Sequence, residues 1–245
     1  MSSLVTRPKP IQHDPSVVRE LVAGPHDGPQ PPFPVYLDGW VTRGFGRGSK
    51  DLGCPTANLP DSSIAPYAET LSTGVYFGFA RVLDQRSATR SSTTSAFPTS
   101  SSSNDSKNEH DGVFPMVMSI GWNPFYNNDT RTAEVHVLHT YPSDFYGKQL
   151  RVVMLGFIRP EYNYGSMDAL IADINTDKLV ALNSVSSPNP SASSTTTETT
   201  AAAPAVIPAE RGTNYARFAE DEFFWRESTL EPLPEGVDPE KKREK

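Results

Sequence analysis

Arg43-Gly44-Phe45-Gly46-Arg47-Gly48-Ser49-Lys50 is the densest run of chemically suggestive residues in the chain, and Gly53-Cys54-Pro55-Thr56-Ala57-Asn58 follows closely. Glycines at 44, 46 and 48 let a loop turn its amides toward an anion, and Lys50 can supply a point charge. The run is not a P-loop, because no Gly-Lys-Ser/Thr follows, and not a dinucleotide fingerprint, because no helix is expected to start after it. Taken alone, it describes a Gly-rich hairpin turn at least as well. Thr56 and Asn58 stand two apart in an extended segment after Pro55, so their side chains share a face. A hydroxyl and an amide oxygen are hard, neutral donors suited to Mg²⁺ when a nucleotide supplies the anionic oxygens. Thr-Ala-Asn by itself is more often a turn than a metal site.

A second constellation is Thr132-Ala133-Glu134-Val135-His136-Val137-Leu138-His139-Thr140-Tyr141. Period-two alternation puts Glu134, His136, Leu138 and Thr140 on one face and Ala133, Val135, Val137, His139 and Tyr141 on the other. Glu134, a carboxylate in a largely apolar strand, is a candidate base, although a solvated Glu paired with a cation would read the same. His136 and His139 point opposite ways, which disfavours a zinc site using both. Three turns carry aromatics that could cover a flat heterocycle: Gly121 to Tyr126, Asp144-Phe145-Tyr146-Gly147, and Arg159-Pro160-Glu161-Tyr162-Asn163-Tyr164. Ordinary strand-end loops have the same composition.

These residues need a scaffold, and the chain reads mainly as short strands. Val35 to Arg43, Gly74 to Leu83, Val113 to Gly121, Thr132 to Tyr141 and Gln149 to Ile158 are β-branched or aromatic runs separated by turn residues. No helix falls between them, which favours an antiparallel barrel or sandwich over a doubly wound sheet. Ser166 can cap a helix whose Leu170, Ile171 and Ile174 share a face, with Asp168 in its first turn. A short helix is also expected at Asp14-Pro15. Tyr215, Phe218, Phe223, Phe224 and Trp225 suggest a terminal segment returning to the barrel.

Two low-complexity tracts, Arg86 to Gly112 and Ser184 to Pro208, have too little apolar surface to offset ordering and are read as disordered insertions. Removing them leaves a core of about 150 residues, the size of one domain. The expected organisation is an N-terminal extension over 1–30, a barrel over 31–183 interrupted at about 86–112, an insertion over 184–209, and a returning segment with a charged tail over 210–245.

The net charge of −7, from 29 acidic and 22 basic residues, is an unfavourable background for nucleic acid. One cysteine, Cys54, permits no internal disulfide, and no apolar run approaches the length of a membrane span. A reducing, cytoplasmic setting is expected, without stable membrane insertion.

In order and spacing, Gly-Arg-Gly-Ser-Lys, Pro-Thr-Ala-Asn, Ser-Ile-Gly-Trp-Asn-Pro, Glu-x-His-x-x-His-Thr and Asp-Phe-Tyr-Gly together resemble the eukaryotic, monofunctional riboflavin kinase family over most of Val35 to Leu182. The resemblance implies a mainly β fold, a six-stranded Greek-key antiparallel β-barrel with a few flanking helices. It implies transfer of the γ-phosphate of ATP to the 5′-hydroxyl of riboflavin, giving FMN. By the same resemblance the Gly44 to Lys50 loop closes over ATP, with Gly44 and Lys50 near the phosphates. Thr56 and Asn58 hold Mg²⁺, or Zn²⁺, with the nucleotide, and Glu134 is the catalytic carboxylate. Val137, His139 and Tyr146 match nucleotide-contacting positions, and Arg159 with its following loop matches a lid over the flavin. Tyr162 and Tyr164 depart from the Lys and Phe of relatives. No nucleotidyltransferase domain precedes the barrel, so FAD synthesis is not expected, and the expected partners are riboflavin and ATP on a monomeric chain. A flavin or nucleotide carrier on the same barrel would bind riboflavin and make no FMN. A base-stacking nucleic-acid barrel would show salt-dependent binding.

Overall fold

The computed structural model describes residues 11–44, 54–83, 112–122, 131–186, 214–233 and 238–239. Lys50 and nearly all of both low-complexity tracts lie outside the described residues. Eight strands are present among the described residues. They are β1 (Ile11–Gln12), β2 (Val35–Trp40), β3 (Ala57–Leu59), β4 (Gly74–Leu83), β5 (Val113–Trp122), β6 (Arg131–Val137), β7 (Gln149–Arg159) and β8 (Tyr162–Asn163). Six form one sheet in the order β2-β7-β4-β5-β6-β3, every pairing antiparallel. After the β4-β5-β6 meander, β7 returns to lie beside β4, which is the Greek-key pattern. The sheet curls until its two edges nearly meet, where Thr42 just beyond β2 bridges Asn58 of β3. The fold is therefore mainly β with few helices.

Burial explains which strands alternate and which do not. Along β2, buried and half-buried positions alternate, as for a strand with one face inward. Nine of the ten β4 residues are buried, because both faces are covered. Tyr76, Ala80 and Val82 fill the barrel with Leu37, Met118 and Leu150. Phe77 and Phe79 point outward into a second cluster with Val153, Leu155, Ala181, Val185, Tyr215 and Phe224. Between β4 and β7, a Cβ on Gly78 would strike the Val153 carbonyl, and the register shifts there.

A short helix α1 (Asp61–Ile64) follows β3, and the outer layer is helix α2 (Met167–Val185) with the returning terminal segment. Ser166 caps α2 by accepting from the Ala169 amide. The inward face of α2 differs from the expected one: Asp173, Asp177, Val180, Ala181, Ser184 and Val185 are buried, while Leu170, Ile171 and Ile174 are only half-buried. Two carboxylates can face inward because cations meet them there. Two buried arginines fasten the terminal segment: Arg81 donates to the Phe224 carbonyl, and Arg151 to those of Phe223 and Arg226. Tyr215 is fully buried beside Phe77, ring centroids 5.6 Å apart.

No helix forms at Asp14-Pro15. The Asp14 carboxylate accepts from the Ser16 amide and hydroxyl, closing an Asx-type turn. The next residues, Val17 and Val18, are β-branched and exposed, so nothing rewards helix propagation. Strand β6 also ends at Val137, short of the expected Tyr141, after which Leu138 donates one last backbone bond to Pro115.

Candidate functional site

Strands β3 and β6 pair so that Asn58 lies directly opposite Glu134, and Ala57 opposite Val135. The Thr56 hydroxyl, two residues before Asn58, donates to Glu134 Oε2 at 3.4 Å. Three oxygen-bearing side chains from two distant stretches thus converge at one end of the barrel. The backbone of Asn58 is fixed from the other side by the Thr42 amide, which donates to its carbonyl at 3.0 Å. Gly44 lies against the Asn58 side chain, where an added Cβ would sit 2.5 Å from Nδ2. A larger residue there would displace the amide.

His136 holds the Pro55 carbonyl, its Nδ1 standing 2.7 Å from the oxygen. A carbonyl only accepts, so Nδ1 carries the proton. Burial lowers the pKa of this imidazole, the bond to Pro55 raises it, and Lys178 lowers it again; the net direction is down. The neutral ring therefore anchors the segment leading into Thr56. Cys54, a free and half-buried thiol, has its pKa raised by burial, with Lys178 opposing and Asp177 and Glu134 adding. These groups place α2 within electrostatic reach of the Thr56–Glu134 corner.

That corner opens into a cavity of about 510 Å³ lined by Val41, Thr56, Val137, His139 and Tyr146, with the loop from Thr140 to Phe145 along one wall. Its size is ordinary for a small-molecule site. His139 stacks on Phe114 with ring centroids 3.8 Å apart and planes at 11°, and Tyr141 meets the His139 ring edge-on at 4.8 Å. Aromatic rings and the Thr56 hydroxyl line the cavity, and Asn58 and Glu134 stand beside Thr56 just outside its lining, an arrangement that suits a ligand with a ring and a polar tail. Among the described residues, no cluster of His, Cys, Asp and Glu could itself hold a metal ion. The local donors are Thr56, Asn58 and the single carboxylate of Glu134, so a cation there would need anionic oxygens from its ligand.

Gly44, Thr56, Asn58, Glu134, Val137, His139 and Tyr146 are therefore brought together around this corner and its cavity, whereas Arg159 is not among the cavity's lining residues. Arg159 is buried at the end of β7, and Asp177 of α2 accepts from its Nε at 3.0 Å and its Nη2 at 2.7 Å. Asp173, one turn earlier, stands 3.2 Å from Arg159 Nε and also accepts from the Tyr164 hydroxyl. The guanidinium lies over the Tyr162 and Tyr164 rings, 5.1 and 5.9 Å from their centroids. Burial works against its charge, yet Asp177, Tyr164 and Asp173 raise its pKa above the ordinary value. Burial and the bond to Asp173 push the Tyr164 phenol well up.

A second cation completes this cluster and was not expected from sequence. Arg19 pairs with Asp173 and places Nη2 2.6 Å from Asp177 Oδ1. Asp173 and Asp177 were equally unexpected, although their i, i+4 spacing puts them on one helix face. Nothing in the sequence around Arg19 marks it.

A model of the riboflavin kinase (flavokinase) family matches residues 31–185. The chain is 50% identical over 171 residues to a riboflavin kinase of Pyricularia oryzae, covering 69% of this chain and 80% of that protein. It is 44% identical over 160 residues to a riboflavin kinase of Meyerozyma guilliermondii, covering 64% of this chain and 87% of that protein. The crystal structure of riboflavin kinase from Trypanosoma brucei superposes with a TM-score of 0.50 at 21% identity, covering 81% of this chain and 93% of that one. At that identity the likeness speaks for the fold alone.

Proposed function

The chain belongs to the riboflavin kinase family, and on that premise we propose that it transfers the γ-phosphate of ATP to the 5′-hydroxyl of riboflavin at the Thr56–Glu134 corner. The observation that carries this placement is the ladder pairing of Asn58 with Glu134, with the Thr56 hydroxyl on the same carboxylate. Phosphoryl transfer has a loose transition state in most analyses, so a protein contributes chiefly by positioning the partners and balancing charge. Glu134 orients the ribityl hydroxyl and accepts its proton as the bond to phosphorus forms. Thr56 and Asn58 offer neutral oxygens that fit Mg²⁺ better than Zn²⁺, which prefers nitrogen and sulfur donors; when bound beside ATP, the cation neutralises phosphate charge. The His139–Phe114 stack and Val137 receive the base, and Tyr146 closes the same cavity. Gly44 lets the chain pass close to Asn58, and Lys50 adds a cation at the phosphates. Arg159 and the Tyr162–Tyr164 loop cover the flavin.

The reading is tested by incubating purified chain with riboflavin and MgATP and separating products by chromatography. FMN is the expected product. Riboflavin binding without any FMN would instead favour the carrier reading. A reducing, cytoplasmic setting and a monomeric state belong to the same proposal; among the described residues no helix is long and apolar enough to cross a membrane.

A further inference from the structure

Arg19 lies before the stretch matched by the family, residues 31–185, yet it contacts the charges that hold Arg159. Its neighbours reach the same place. Strand β1 adds in parallel to β8, with Ile11 opposite Tyr162 and Gln12 opposite Asn163. The His13 amide and the Gln12 side chain both donate to the Asn163 carbonyl, at 2.9 and 3.1 Å. The His13 ring packs 4.9 Å from that of Tyr164. Farther along the arm, the Ala23 amide donates to the Ser184 hydroxyl and Asn183 donates to the Leu21 carbonyl. The arm therefore spans from the loop after Arg159 to the far end of α2.

Asp177 shows why this matters for Arg159. Its Oδ2 takes Arg159 Nη2 at 2.7 Å, while its Oδ1 takes Arg19 Nη2 at 2.6 Å and Arg159 Nε at 3.0 Å. With both oxygens engaged, the carboxylate plane is fixed, and the Arg159 fork is fixed with it. Without Arg19, Asp177 would keep only its bonds to Arg159, and Asp173 only its contacts with Arg159 and Tyr164, so the guanidinium and both carboxylates could shift together relative to the Tyr162–Tyr164 loop.

We infer that the N-terminal arm, through Arg19, positions Arg159 and the Tyr162–Tyr164 loop for the flavin. Arg19 is a positioning residue: it acts through Asp177 and Asp173 and touches neither substrate. The inference rests on the proposal that the Arg159 loop covers riboflavin, and it predicts an effect on one substrate only. A residue that merely tied the arm to the fold would weaken both substrates together or neither.

The test uses the full chain, with riboflavin fluorescence quenching for flavin affinity and calorimetry for MgATP. Arg19→Ala should raise the riboflavin Kd about ten-fold and leave the MgATP Kd within about two-fold, the scale expected for coupling through packed and bonded neighbours. Arg19→Lys should recover part of the loss, since a point charge replaces one arm of the fork. Should Arg19→Ala fold poorly, Arg19→Ala with Asp173→Asn removes one charge of each sign, leaves the Arg159–Asp177 pair matched, and should show the same selective loss. Unchanged riboflavin affinity, or equal weakening of both substrates, overturns the inference. Intact riboflavin affinity in Arg159→Ala overturns the lid assignment and this inference with it, while FMN formation by the wild type still stands. A wild type that makes no FMN but keeps Arg19-dependent riboflavin binding upholds the inference and removes the catalytic reading.

Discussion

The corner around Glu134 and the cluster around Arg159 are built on opposite principles. At the first, backbone register does the placing: Asn58 faces Glu134 because β3 pairs with β6, and the side chains are a hydroxyl, an amide and one carboxylate beside an open cavity. At the second, the side chains place one another. Arg19, Arg159, Tyr164, Asp173 and Asp177 come from four segments, are largely buried, and are joined by ion pairs and by the Tyr164–Asp173 hydrogen bond. A corner set by register can present polar groups beside an open cavity, whereas a buried charge must be matched within the protein. Substitutions should therefore separate the two: loss of chemistry with the fold intact in one, loss of stability first in the other.

The largest effect is expected at Glu134. Glu134→Gln preserves shape and ladder pairing but cannot accept the proton, so turnover should fall by roughly 10² to 10⁴. Riboflavin affinity and the urea midpoint should stay near wild type. Near-normal turnover in this variant would take the catalytic role away from Glu134, and a collapsed fold would put this corner in the same class as the other.

Next in size is Asp177→Ala. It leaves Arg19 and Arg159 to share Asp173, and removing one partner of a buried network should cost about 3 kcal/mol of folding free energy. Asp173 remains 3.2 Å from Arg159, which keeps the cost from being greater. Urea unfolding measures it, and a loss under about 0.5 kcal/mol, ordinary for a surface change, would show that the cluster is not a structural charge centre.

The same contrast explains what could be read from sequence. Strands β4, β5 and β7 were legible because burial on one or both faces leaves runs of Val, Phe, Met and Leu bounded by turn residues. The Thr56–Asn58 segment was legible because Pro55 forces extension and a two-residue spacing shares a face. Its meeting with Glu134 needed the family resemblance, since strand pairing leaves no local mark. Arg159 stands out in the sequence as a member of an aromatic loop and, by the family resemblance, as part of a lid over the flavin, but no local signal marks Asp173 and Asp177 as its partners. A helix pattern is scored by its apolar residues, and here Leu170, Ile171 and Ile174 are half-exposed while Asp173 and Asp177 turn inward. The expected helix at Asp14 failed for a related reason: the cap formed, but the following valines had no apolar surface to meet.

Acid should separate the two regions by the smallest of these effects. Burial raises the pKa of Asp173, but Tyr164, Arg159 and Arg19 together outweigh it and hold the carboxyl below its ordinary value of 3.8. The unfolded chain thus binds this proton at a higher pH than the folded one, so stability falls as protons are added. The contribution of Asp173 is fully present above 3.8 and disappears as pH drops through the lowered folded value. Asp173→Asn removes that titration while its side-chain oxygen can still accept from Tyr164. Urea midpoints of the variant should be lower than wild type at pH 7, and the gap should narrow as pH falls below 3.8. Curves that stay parallel into acid would mean that the Asp173 charge is not what Arg19 and Arg159 hold, and the cluster would then owe its order to packing around the Tyr162 and Tyr164 rings.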